Sequence, residues 1–155
     1  EDGYISKFGN TLYKMFFKSM KEKKTETPHP LVFFSLLLIA SIGMGALTPF
    51  MNSIYAASIM FLITWLIMII LRKDLIIPSL AVGFSSVAFM TIGYTAVLMR
   101  YPNLVQDWWE LNNISGVLIL NIPLEEYLWF LAAGLAFGTL YEFWKGIRFT
   151  PIESK

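Results

Sequence analysis

The sequence predicts an all-α protein, a polytopic transmembrane helical bundle with four main hydrophobic regions, the fourth interrupted near Pro123. Three observations carry this. First, 56% of the residues are hydrophobic against 15% charged, and the mean hydropathy is +0.60, which is more apolar surface than a soluble domain of this size needs for one core. Second, no charge occurs from Leu31 to Leu71, about twice the ~20 residues that cross a hydrocarbon layer of ~30 Å. Third, the later apolar runs are bounded by charge, at Arg72-Lys73-Asp74 and again from Lys145 to Arg148. The absence of cysteine excludes disulfides, thiolate metal sites and cysteine nucleophiles. The single histidine, His29, lies between two prolines and reads as a linker residue, so no metal site is expected. A net charge of +1 carries no nucleic-acid signal.

Taken in chain order, residues 31–71 must fold back on themselves as two helices, with Thr48-Pro49-Phe50-Met51-Asn52-Ser53 as the turn. A third span is expected from about Leu75 to Met99, and the fourth region covers roughly Ile114 to Trp144. Pro123 suits the first position of a helix, where a missing N–H costs nothing, and Asn121 is a turn and capping type. Glu125 and Glu126 then fall in the first turn, toward one end of a stretch that reaches Trp144. Residues 113–122 are expected to dip back into the membrane or form a half-helix, which is tolerated only where protein or a cavity covers the backbone. Residues 1–30 read as the end of a preceding repeat helix plus a basic cytoplasmic linker, and residues 31–155 as the transmembrane domain. Ten lysines and arginines fall on one side of a four-span arrangement against Arg100 on the other, so the linker and C-terminus are expected in the cytoplasm. Trp108 and Trp109 then mark the opposite interface.

Glu125 and Glu126 are the candidate catalytic residues. An ionisable side chain at membrane depth costs several kcal/mol, so its presence points to a functional site. Neighbours on a helix diverge by about 100°, and the two carboxylates cannot both face one ligand. Capping of a helix at the interface is the competing reading. Tyr127, Trp129, Phe130 and Tyr141 are candidate substrate-binding residues with Asn121, because aromatic rings around an acid are what a carbocation needs. Gly134 and Gly138, with Ala132, Ala133 and Ala136, are expected to let another helix approach closely. Gly43-x-Gly45 follows no strand and is not read as a phosphate loop. Serines and threonines in the spans lack a histidine or lysine base and read as interhelical hydrogen-bonding groups.

The stretch Trp108-Trp109-Glu110-Leu111-Asn112-Asn113-Ile114-Ser115-Gly116, continuing through Ile122-Pro123-Leu124-Glu125-Glu126-Tyr127-Leu128-Trp129-Phe130, resembles the signature of the small membrane lycopene cyclase domain of the heterodimer-type carotenoid cyclases. The resemblance implies tandem copies of a three-helix unit and the closing of β-rings on acyclic ends of lycopene. It also implies a proton-initiated isomerisation without a redox cofactor, with Glu125 or Glu126 as the acid and the other as a candidate base. No cofactor is therefore expected, and no dinucleotide motif is present. Glu1-Asp2 followed by Phe8-Gly9-Asn10-Thr11-Leu12-Tyr13 echoes Glu125-Glu126 followed by Phe137-Gly138-Thr139-Leu140-Tyr141, as a repeat would. The expected partners are the lipid bilayer, a hydrophobic isoprenoid or carotenoid substrate and an upstream repeat or membrane protein, with no nucleic acid. A non-catalytic integral membrane subunit or lipid-binding module of a larger complex is the alternative. A glutamate-type intramembrane protease fits poorly, since that pattern wants an arginine where Phe130 stands and intramembrane histidines.

Overall fold

The computed structural model describes residues 20–24 and 30–151. Within them the chain is mostly helical. Helix α1, Pro30–Leu47, opens on a proline at its first position, where no intrahelical N–H is needed. A tight turn leads to α2, Ser53–Leu71, whose start is capped by Asn52: its side-chain oxygen accepts the Ile54 N–H at 3.0 Å. After Arg72 and a 3₁₀ turn at Lys73–Leu75 comes α3, Ile76–Arg100. The three helices are 18, 19 and 25 residues long, and each is long and apolar enough to cross a membrane. Their outer faces carry Leu38, Ile42, Ile70, Phe84, Phe89 and Ile92 in exposed positions, a surface suited to acyl chains.

The fourth hydrophobic region departs from expectation. It is not one span but a 14-residue helix, α5 (Leu124–Phe137), followed past Gly138 and Thr139 by the 6-residue α6 (Leu140–Lys145). At 1.5 Å per residue α5 rises only about 21 Å. Ahead of it, the short α4 (Leu104–Trp108) and a 3₁₀ turn at Leu111–Asn113 lead into a hairpin of β2 (Leu118–Ile119) and β3 (Ile122–Pro123). Residues 113–122 therefore do not form a half-helix. Leu120 and Asn121 both adopt positive φ, 52° and 60°, the geometry of a two-residue turn whose twist matches the strands. Asn121 tolerates that conformation well, so it turns the hairpin and does not cap the helix. Pro123 is likewise displaced by one position: its extended backbone (φ −57°, ψ 138°) ends β3, and the helix starts at Leu124.

α5 packs into the groove between α2 and α3, while α1 lies against α2 and α6. Small residues allow the first contact. A Cβ built on Gly134 would collide with Ser86 and lie 2.8 Å from the Gly83 Cα, and one on Gly138 would meet Val82 Cβ at 2.6 Å. The Ser86 hydroxyl uses this proximity, lying 2.9 Å from the Phe130 carbonyl of α5 and 2.8 Å from the Gly83 carbonyl of its own helix. Trp65 on α2 donates its indole N–H to Ser79 Oγ on α3 at 2.9 Å. At the same end, Leu36, Met68, Leu75 and Phe143 form a buried cluster, and Phe33 stacks on Trp144 at 5.5 Å.

Arg72 closes that end of the bundle. It is 3% exposed, pairs with Asp74 at 2.6 Å, and donates to the Glu142 carbonyl at 2.7 Å and the Ile147 carbonyl at 2.9 Å. Gly146, left-handed at φ 67°, turns the chain out of α6 into β4 (Ile147–Pro151), which pairs antiparallel with β1 (Met20–Lys24). The ribbon therefore sits at the end that holds Arg72, Lys73 and Lys145, with Arg100 at the other end of α3. Arg72→Met is expected to lower stability by about 3–5 kcal/mol, because the ion pair and both carbonyl contacts are lost together. An unchanged melting midpoint in detergent would show that the aromatic stack holds this end without the guanidinium. The acidic repeat expected at residues 1–13 lies outside the described residues.

Candidate functional site

Both glutamates stand in the first turn of α5 and both are buried, Glu125 at 1% and Glu126 at 8% exposure. The hairpin and Pro123 fix where that turn begins. Tyr127 ties the two together, its hydroxyl donating to the Ile119 carbonyl at 3.1 Å. Because consecutive side chains point about 100° apart, each acid reaches a different helix. Glu125 Oε1 accepts the Tyr55 hydroxyl of α2 at 2.5 Å and the Ser115 backbone N–H at 2.9 Å. Its Oε2 is buried with no hydrogen-bond partner among the described residues. Glu126 Oε1 accepts the Tyr94 hydroxyl of α3 at 2.8 Å. Tyr94 lies six residues before the end of α3, about 9 Å along the axis. The acids thus sit inside the bundle near its Trp108 end.

Their surroundings differ in kind. Glu126 opens on a cleft of about 470 Å³ walled by Met44 of α1, the capping Asn52, Ser53, Ile54, Ala57 and Phe61 of α2, and Trp109 and Trp129. Phe61 lies 6.2 Å from Trp129 and 4.9 Å from Phe137, ring centre to ring centre, so aromatic faces cluster around the acid. Glu125 is not among the walls of this cleft, and holds α2, α5 and the Ser115 loop to one another. Phe130 turns the other way, into an apolar hollow of about 270 Å³ that it shares with Met90, Tyr94, Val97 and Leu104. Nearer the loop surface, Gln106, Trp109, Glu110, Leu111, Asn112 and Asn113 surround a polar cavity of about 530 Å³.

Of the residues expected at a site, Glu126 and Trp129 share the cleft, with Glu125 beside them through the backbone. Tyr127 is engaged by the hairpin. Asn121 is exposed at the hairpin tip, and Tyr141 is 57% exposed on α6, past the break and fifteen residues beyond Glu126. Neither reaches the acids. Reading the sequence passed over Tyr55, Tyr94, Ser115 and Phe61. A tyrosine hydroxyl inside an otherwise apolar span needs a partner, and that requirement is the signal that Tyr55 and Tyr94 carried.

The family model of lycopene cyclase matches residues 52–144, from the Asn52 cap to Trp144. The chain belongs to the lycopene cyclase family. The matched stretch holds both glutamates, both tyrosines that bind them, Ser115 and the cleft aromatics, and leaves α1 outside. Membership in the lycopene cyclase family supports a role in carotenoid biosynthesis. No curated protein and no solved structure matches the chain significantly.

Proposed function

We propose that the chain is a membrane-embedded lycopene cyclase in which Glu126 protonates a terminal double bond of an acyclic carotenoid end group. The observation that carries this is the difference between the two acids: Glu126 faces a cleft walled by Phe61, Trp109 and Trp129, while Glu125 is enclosed by Tyr55 and Ser115. The step forms a C–H bond and leaves a tertiary carbocation, which the neighbouring alkene attacks to close the ring. The ring cation then loses a proton to regenerate a double bond, so no electrons are gained or lost. Aromatic faces stabilise the cation while keeping out nucleophiles that would quench it. Tyr94 aims the Glu126 carboxyl from α3, and Glu125 serves to position the first turn of α5.

Expression in a lycopene-accumulating host tests the reading. Monocyclic or bicyclic carotene is expected in the pigment extract, and unchanged lycopene from a folded, membrane-inserted protein would count against it. The same two glutamates could serve a non-catalytic subunit, since each bridges helices by a hydrogen bond. Their glutamine variants separate the two readings.

The Arg72 end is proposed to face the cytoplasm, on the strength of the basic residues gathered there. The chain has no cysteine, so single cysteines are unambiguous reporters. Asp107→Cys should react only from the side opposite Lys24→Cys, and reaction of both from one side would overturn the orientation.

A further inference from the structure

Trp109 belongs to two cavities at once. It lines the polar cavity of the loop with Gln106, Glu110, Asn112 and Asn113, and it also lines the aromatic cleft with Glu126. Its backbone is fixed at the end of α4 by a hydrogen bond to the Val105 carbonyl at 2.9 Å, and its carbonyl accepts the Leu111 N–H at 2.9 Å. Asn52 and Asn113 join the same two spaces, the first lining the cleft and the second the loop cavity, with the Asn52 amide 3.4 Å from the Asn113 carbonyl. Trp109 and the contact between Asn52 and Asn113 therefore lie where the two spaces meet.

From this arrangement we infer that the loop cavity is the aqueous vestibule through which Glu126 exchanges its proton, with Trp109 as the partition that keeps bulk water out of the cleft. The inference rests on Glu126 being the acid of the proposed reaction. Each turnover moves one proton from Glu126 to the substrate and releases one from the ring cation. The carboxylate must regain a proton before the next substrate, and the released proton must leave, so the sum is zero but a path is required. The donors and acceptors beside the acid are Tyr94 of α3, with Asn52 and Ser53 where the cleft meets the start of α2. Gln106, Glu110, Asn112 and Asn113 provide such groups up to the partition itself. A tryptophan suits the boundary because its indole N–H lies against the Tyr94 hydroxyl that holds Glu126, while its apolar ring forms part of the wall.

The route can be read without any turnover. Glu126 in the full chain, in detergent, is treated either with a water-soluble carbodiimide and a glycine ester or with the hydrophobic dicyclohexylcarbodiimide, and adducts at Glu126 are measured by peptide mass. Trp109→Ala is expected to raise labelling by the water-soluble reagent severalfold while leaving the hydrophobic reagent unchanged. A second variant, Gln106→Cys, adds the chain's only thiol at the vestibule. Capping it with a bulky maleimide should lower water-soluble labelling of Glu126 severalfold relative to the uncapped protein, again without affecting the hydrophobic reagent. Equal water-soluble labelling with and without the cap would overturn the vestibule, and so would a cap that blocks both reagents alike. Failure of the cyclase assay with these labelling results intact would refute the proposed reaction while leaving the route standing.

Discussion

Glu126→Gln is expected to abolish ring formation while the protein stays folded, and Glu125→Gln to retain most of it. Glutamine keeps the size of glutamate and can still accept the Tyr94 hydroxyl, so the contact between α3 and α5 survives. It cannot give up a proton to an alkene. A positioned general acid contributes about 10²–10⁴ in rate, and here protonation is also the initiating step, so product should fall below detection. At position 125 the requirement is different, since one oxygen receives both the Tyr55 hydroxyl and the Ser115 N–H, and a glutamine oxygen can do the same. Glu125→Leu should behave differently again: the Tyr55 O–H loses its acceptor, at about 1–3 kcal/mol, and the Ser115 N–H keeps only its bond to the Tyr55 oxygen at 3.1 Å. Pigment composition and the melting midpoint in detergent, measured together, separate these cases. A Glu126→Gln protein that still forms rings would refute the assignment, and inactivity confined to Glu125→Gln would exchange the two roles.

Gly134→Leu is expected to have the largest effect on assembly. Even one added carbon would lie 2.8 Å from the Gly83 Cα, and backbone cannot move aside as a flexible side chain does. Helix α5 must retreat from α3, which also separates Ser86 from the Phe130 carbonyl and Glu126 from Tyr94. Overpacking alone costs about 1–3 kcal/mol, and the lost hydrogen bonds add to it. Gly45→Ala is the matching control, because its new Cβ meets nothing within 4 Å. The expected result is a lower melting midpoint and aggregation for Gly134→Leu against an unchanged Gly45→Ala. Equal stability of the two would mean that α3 and α5 do not touch at this glycine.

What could be read in the sequence was what depends on neighbours along the chain. The uncharged run to Leu71 and the turn at Thr48–Ser53 fixed two helices, and the small residues around Gly134 and Gly138 marked a close contact that the packing against Val82, Gly83 and Ser86 bears out. The acidic pair likewise announced itself. The partners of the acids did not, because Tyr55 and Tyr94 are 70 and 32 residues away from them and no local pattern connects such positions. The region before α5 was misread for a related reason. Asn121 and Pro123 are common at helix starts, but they are equally the residues of a tight hairpin, and the pairing of Leu118 with Pro123 decided between them. The break at Gly138 and Thr139 was hidden by uninterrupted hydrophobicity, which reports on burial and not on continuity of the backbone.

The pairing of each acid with a tyrosine of an earlier helix bears on how the protein is made. Both phenols, on α2 and α3, precede residue 125 in the chain and are synthesised before it. Helix α5 is shorter than the ~20 residues that cross a hydrocarbon layer, and it carries two carboxyls in its first turn. In the membrane-embedded protein proposed above, it would enter the bilayer by docking onto α2 and α3, exchanging water at each carboxyl for a waiting hydroxyl. Docking of α5 and completion of the site would then be a single event in biogenesis, so a chain in which α2 and α3 have not assembled would have no hydroxyls with which to hide its acids.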